Sequence, residues 1–326
     1  ADTDRDGTLD QVRKLLGFEG EPGEHGAHGL ALGPDGLIYI VLGNHARPDR
    51  DYDPASPHRN YYEGDLLGPR YEDPAGHASG IRAPGGVVIR TDIDGRSVEL
   101  VAGGLRNAYD LAFNAEGELF VHDSDMESDL GSSWYRPTEL LHIVPGGEYG
   151  WRSGWAKWPA HFVDRLPAIA DTGRGSPTGS VVYSHHMFPA RYHDCLFLAD
   201  WSEGRILAVS TRRSGAGYTT DSEVFLRGQP LNVTDLDVGP DGSLYFCTGG
   251  RQTAGGIYRV TWKGQVPDSV RGLGRGISRG VRDPQPLSAW ARQRVAGLRD
   301  ALGPRWEAQL GAVALNYGTG AAYRTR

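Results

Sequence analysis

Lysine is nearly missing from this chain. Of 34 basic residues, only Lys14, Lys157 and Lys263 are lysines and the rest are arginine. A GC-rich genome accounts for that usage without any functional demand on arginine. Cysteine is almost as scarce. Cys195 and Cys247 both lie in apolar strand-like runs, as buried free thiols do, although a bridge between neighbouring units stays open. There is no C-x-x-C, no haem-attachment C-x-x-C-H and no zinc spacing. No apolar run approaches the length of a membrane span. The net charge is −7 and no basic block stands out before the tail, so nucleic acid is not an expected partner. G-x-S-x-G, the Walker A loop and the dinucleotide fingerprint are all lacking, which removes the local signatures of α/β-hydrolase, P-loop and nicotinamide chemistry. The sequence opens at Ala1 with neither Met nor a signal peptide, as in a processed mature form or a fragment.

Glycine, by contrast, is abundant. There are 47, without collagen periodicity, as in a protein built of many turns. Much of it falls in a recurring phrase: GLALGPDGLIYIVLG at 29–43, DLAFNAEGELFVHDSD at 110–125 and DLDVGPDGSLYFCTGG at 235–250. Each copy is an alternating apolar run, a tight turn ending in Gly36, Gly117 or Gly242, and a second alternating run. In Pro34-Asp35-Gly36 and Pro240-Asp241-Gly242, proline presets φ, aspartate bonds its own backbone and glycine supplies a positive φ. A hairpin of this kind cannot bury its face alone and must stack on its copies. The fold class expected is all-β, a six-bladed-type β-propeller, not necessarily complete in this chain, with a short C-terminal α-helical extension. Four blades are visible, around 30–43, 111–123, 181–200 and 236–248.

The expected organisation is a propeller over 1–263, a Gly/Arg-rich linker over 264–285 and a helical extension over 286–326. In PLSAWARQRVAGLRDAL, Trp290, Val295 and Leu298 share one helical face. Two long insertions, 44–84 and 126–138, interrupt the blades, and the tyrosines of the first argue for an ordered lid. Trp151, Trp155 and Trp158 pack a loop onto the domain or form a sugar-stacking surface. His185-His186 reads as an exposed turn.

Several constellations carry chemistry. Asp2, Asp4 and Asp6 follow the start of a calcium loop, but Arg13 stands at the closing position, so the segment is either a calcium-binding turn or a solvated acidic one. His25 and His28, flanked by glycines, enter a blade strand from a loop. There either could act as a general base on a hydroxyl or be satisfied structurally. Arg106-Asn107 precedes a blade strand at the equivalent point and suits an anionic ligand or the bracing of a loop. In HDSDME, Asp123, Asp125 and Glu127 suit a hard cation such as Ca²⁺ or a hydrated acidic loop.

Together, EHGAHGLALGPDGLIYIVLG, GLRNAYDLAF, TELLHIVPGGEYGW and VGPDGSLYF resemble the glucose/sorbosone dehydrogenase family, soluble six-bladed propellers that use pyrroloquinoline quinone (PQQ) and Ca²⁺. The resemblance runs in one order over about 25–260. It implies His25 as the base that takes a sugar hydroxyl proton while hydride passes to the quinone, Arg106 and Asn107 as PQQ contacts, and calcium ligands near Asp125 and Met126. The family aspartate that orients the catalytic histidine is Asn44 here, which can hold the ring by a hydrogen bond but adds no charge. Basic residues of the family are replaced by Trp201-Ser202 and are lacking from PLNVTDLDV. Over nearly its whole length the chain resembles a divergent branch of that family found in large secreted proteins of planctomycete-type bacteria, where HEAT-like helices and a c-type haem domain follow the propeller. WYRPTELLHIVPGGEYGWRSG, SPTG and PLNVTDLDVGPDGSLYF carry this likeness. The resemblance therefore implies a sugar or glycan as substrate, a c-type cytochrome as possible electron acceptor and a periplasmic or secreted location. The alternatives are a non-catalytic propeller that binds a glycan or a protein partner, and a calcium-dependent lactonase-type propeller.

Overall fold

The computed structural model describes residues 3, 8–20, 23–61, 78–124, 126, 136–272 and 274–319. Asp2, Asp4, Asp6, Asp125 and Glu127 lie outside them.

Each hairpin read from the sequence forms the first two strands of a blade. A short ribbon pairs β1 (Phe18–Gly20) with β4 (Ala46–Pro48). The first blade runs β2 (Ala27–Leu32), β3 (Ile38–Leu42), β5 (Gly86–Thr91) and β6 (Glu99–Leu105). The second runs β7 (Leu111–Phe113), β8 (Leu119–Asp123), β9 (Thr138–Ile143) and, later in the chain, β13 (Ala170–Gly173). Between β9 and β13 the chain adds β10 (Gly147–Glu148) in parallel to β6 and makes a small hairpin from β11 (Trp151–Arg152) and β12 (Ala156–Lys157). The third blade is β14 (Pro177–Tyr183), β15 (Cys195–Asp200), β16 (Arg205–Ser214) and β17 (Gly217–Arg227). The fourth has three strands, β18 (Val233–Val238), β19 (Leu244–Thr248) and β20 (Gly256–Val260). The turn glycines adopt the conformation their sequence demands, with φ of 81° at Gly36, 85° at Gly117 and 75° at Gly242.

The first strands of the blades lie side by side. Gly29 N–H bonds the Tyr109 carbonyl at 2.9 Å, and Thr178 Oγ1 bonds the Val233 carbonyl at 2.8 Å. Strand alternation sends every second side chain into the seam between blades. Val41, Val88, Leu105, Leu111 and Val121 fill the first seam, Phe120, Leu140, Val182 and Leu198 the second, and Phe197, Ile206, Leu236 and Phe246 the third. Each fully buried side chain of this size contributes about 1.5–3 kcal/mol. Leu16, Tyr52 and Tyr61 cover the outward face of the first blade, so the near part of the 44–84 insertion packs as a cover. The outward face of the fourth blade carries Asp235, Asp237, Tyr245 and Arg259 in register, which is a polar surface. Trp151 is fully buried and packs, as a loop anchor does.

Helices follow the last blade. The Gly/Arg-rich stretch contains α1 (Asp268–Arg271) and α2 (Ile277–Arg282), where the sequence reads only as linker. Beyond it are α3 (Ala289–Leu302), capped by Ser288 Oγ accepting Ala291 N–H at 3.2 Å, and α4 (Arg305–Thr319). The joint before α3 is fastened to the inner strands. Gln285 Nε2 donates to Val182 O at 2.6 Å, and Trp290 Nε1 donates to Val238 O at 2.8 Å. Among the described residues no helix is long and apolar enough to cross a membrane.

Candidate functional site

Because each hairpin is antiparallel, the starts of the first strands and the ends of the second strands fall at one end of the blades. His25, His28, Asn44, Arg106, Asn107, Asp123, Trp201 and Asn232 all come from that end. His25 Nδ1 lies 2.5 Å from Asn44 Oδ1, and Asn44 N–H bonds the Arg106 carbonyl at 2.9 Å. His28 Nε2 lies 2.9 Å from Asn107 Oδ1, and Asn107 Nδ2 donates to the Glu24 carbonyl at 3.1 Å. His28 also stacks on Tyr109, with ring centroids 4.6 Å apart, and burial lowers its pKa. The two pairs that the sequence places on separate blades thus form one continuous network.

His25 is 4% exposed and Asn44 5%. With Asn44 Oδ1 accepting, His25 Nδ1 carries the proton of the neutral ring and Nε2 holds the lone pair. Asn44 Nδ2 is buried and has no hydrogen-bond partner among the described residues. A buried donor left in this state costs about 1–3 kcal/mol until an acceptor reaches it.

Arg106 is also buried. Its Nη1 donates to Ser124 Oγ at 3.3 Å. Asp123 is fully buried and acts as a backbone clamp. Its Oδ2 accepts Arg106 N–H at 3.0 Å, and its Oδ1 accepts Asn107 N–H at 2.8 Å and Ser124 N–H at 2.9 Å. The cation beside it is Lys157 Nζ, 3.2 Å from Asp123 Oδ2. The calcium expected around Asp123 and Met126 therefore meets a carboxylate already engaged by three N–H groups and an ammonium. Met126 is 1% exposed. Among the described residues no group of three or more His, Cys, Asp or Glu is arranged to hold a metal ion.

Sequence reasoning did not find Lys157, nor Arg251. Arg251 lies on the loop after β19, with its guanidinium 5.8 Å from the Trp201 ring and an ion pair to Glu24. Both members of that pair are exposed, so it is worth little energetically, but it links loops of the first and fourth blades. His185 is 2% exposed rather than on an exposed turn. It sits against Gly242 of the next blade, and its Nδ1 accepts Met187 N–H at 3.1 Å.

Along the first strands, from Asp110 and Asp235 to the joint before α3, lies a cavity of about 590 Å³, also lined by Asp237, Leu287 and Arg292. The joint before α3 forms part of its wall. It does not include His25 or Arg106.

The architecture is that of a β-propeller, with the polar network gathered at one end of its blades. Two solved structures bear out the fold. The chain is similar to an oxidoreductase (glucose dehydrogenase) from Thermus thermophilus, with 20% identity and a TM-score of 0.52 over 74% of this chain and 68% of that one. It is similar to a second glucose dehydrogenase, with 17% identity and a TM-score of 0.51 over 75% of this chain and 67% of that one. A PQQ-bound aldose sugar dehydrogenase from Streptomyces coelicolor gives 20% identity and a TM-score of 0.46 over 70% of this chain and 58% of that one. The match to the last of these spans less than two thirds of its length. No protein-family model and no curated protein matches the chain. In fold, the chain is a glucose dehydrogenase-like β-propeller.

Proposed function

We propose that the chain acts on a carbohydrate hydroxyl at the His25 end of the blades, as a sugar dehydrogenase-like oxidoreductase in which His25 takes the hydroxyl proton. The contact of His25 Nδ1 with Asn44 Oδ1 at 2.5 Å carries this reading. In the neutral ring it places the proton on Nδ1 and leaves Nε2 as the proton acceptor, the form in which a histidine works as a general base. Asn44 Nδ2 offers a buried donor to an oxygen of the bound sugar. Burial of His25 keeps bulk water from competing for the same atom.

In the family that the sequence resembles, the hydride acceptor is PQQ, held with Ca²⁺. This chain's residues do not fit that arrangement as the resemblance implies it. Arg106 turns inward to Ser124 Oγ, both amide atoms of Asn107 are engaged by His28 and Glu24, and Lys157 stands beside Asp123. His25 and Asn44 are thus the residues that carry the proposal.

Titration with PQQ at saturating Ca²⁺, followed by tryptophan fluorescence and by dye reduction with a panel of aldoses, tests it. Turnover that His25→Ala abolishes while sugar binding persists supports a dehydrogenase. Absence of turnover with every aldose, together with retention of a glycan on the same face, gives the second reading, a non-catalytic glycan-binding propeller. The inward turn of Arg106 favours that second reading.

A further inference from the structure

Behind the Arg106–Asn107 turn, one point is surrounded by oxygens from two strand ends, the close of β8 and the start of β9. Lys157 Nζ lies there, 2.7 Å from the Ser124 carbonyl, 3.2 Å from Asp123 Oδ2 and 3.3 Å from Glu139 Oε2. Its side chain is 1% exposed. A main-chain carbonyl and two carboxylates converging on one point is a donor set suited to a hard cation. The distances are those of N–H donors, longer than the roughly 2.3–2.6 Å of calcium to oxygen.

We propose that Lys157 is the resident cation of this face. It occupies the place that a divalent ion would take beside Asp123 and Ser124 and, through Asp123, holds the Arg106–Asn107 turn in position. The two carboxylates each meet a cation here, Asp123 and Glu139 meeting Lys157, and Glu139 also Arg165, whose Nη2 lies 2.6 Å from Glu139 Oε1. A dication entering this set would be repelled by a buried ammonium. The residue type follows from the geometry. Three oxygens around one point suit a compact ammonium with three rotatable donors, whereas a planar guanidinium presents its donors in a fixed fork. That accounts for a buried lysine in a chain that otherwise uses arginine almost throughout. Lys157 is a positioning residue, because it reaches the turn only through Asp123, whose oxygens accept the N–H groups of Arg106 and Asn107. The inference stands whether or not the chain oxidises a sugar.

The test is calorimetric titration of the full-length chain with CaCl₂, with wild type and Lys157→Ala compared. The variant is expected to bind one more Ca²⁺ than the wild type and to melt at a higher temperature in Ca²⁺ than in EGTA. The NMR signal of the His28 ring, which lies 2.9 Å from Asn107 Oδ1, should shift in Lys157→Ala and return when Ca²⁺ is added. A merely structural role for Lys157 would not produce that return. Equal stoichiometry in the two proteins overturns the proposal. Should Lys157→Ala fail to fold with and without Ca²⁺, Glu139→Gln decides. A wild-type calcium site that this substitution removes overturns the proposal, and an unchanged wild-type stoichiometry upholds it.

Discussion

Asp110 Oδ2 accepts the backbone N–H of Ser180 at 2.7 Å, so a carboxylate at the head of one blade's first strand ties that blade to the next. Burial, opposed by this bond and by the Leu111 N–H, pushes the Asp110 carboxyl from 3.8 up to about 7. The folded state then holds a proton that the unfolded chain has lost between about pH 4 and about pH 7, so stability falls as pH rises through that window. Asp235 and Asp237, whose carboxyls are also raised by burial, act in the same direction. His122 acts oppositely. Burial lowers it to about 4, so it removes stability as pH falls below its ordinary value of 6.5. Asp110→Asn keeps an acceptor for Ser180 and loses the titration. It should raise the melting temperature relative to wild type more at about pH 8 than at about pH 4. Thermal melts across this range check it, and a difference constant with pH would count against Asp110 as the titrating group.

The same aspartate presses on a glycine. A Cβ at Gly29 would lie 2.4 Å from Asp110 Oδ1 and 2.9 Å from Asp110 Cα. Gly179 stands in the same relation to the fourth blade, where a Cβ would lie 2.6 Å from Asp235 Oδ1 and 2.7 Å from Asp235 Cα. Gly29→Ala and Gly179→Ala should each cost about 1–3 kcal/mol, the usual penalty for forcing atoms into a packed seam. Urea unfolding measures both, and wild-type stability in either variant would show that the seam can open.

For the proposed chemistry, His25→Ala should lower turnover by roughly 10²–10⁴-fold, the range of a positioned general base. Asn44→Asp places a carboxylate against the ring and favours its protonated form, so the acid limb of the pH–rate profile should move to higher pH. Initial rates against pH test both. A limb that does not move in Asn44→Asp would remove Asn44 as the group that orients the ring.

The thiols should behave separately. Cys195 is 2% exposed, its Sγ donates to the Arg191 carbonyl at 3.2 Å, and burial pushes the thiol up to about 11. Cys247 is half-buried, and both cysteines are free. Iodoacetamide should therefore label the native protein once, at Cys247, and the denatured protein twice, as read by mass spectrometry. A reductant should leave the melting temperature unchanged.

The blades were legible in the sequence because hairpin turns are local. Pro, Asp and Gly at 34–36 and 240–242 declare their own conformation within three residues. That His25, Asn44, Arg106 and Asn107 come to one end of the blades was legible because each flanks a hairpin or a strand start. Lys157 was not. Its neighbours Ala156 and Trp158 say nothing of Ser124, Asp123 or Glu139, which reach it only when the second blade and the β11–β12 hairpin come together. The only local sign was its rarity. His185 was misplaced for a related reason, since its cover is Gly242 from another blade. The helices in the Gly/Arg stretch are four and six residues long, too short for a periodic pattern to show.

The first strands read HGLAL, YDLAF, TGSVV and TDLDV, with glycine and aspartate alternating at one position, Gly29, Asp110, Gly179 and Asp235. The blades are therefore not interchangeable copies but two complementary kinds, one offering a notch and the other the group that fills it. A blade inserted singly among these four would set two aspartates or two glycines at neighbouring positions and break the alternation.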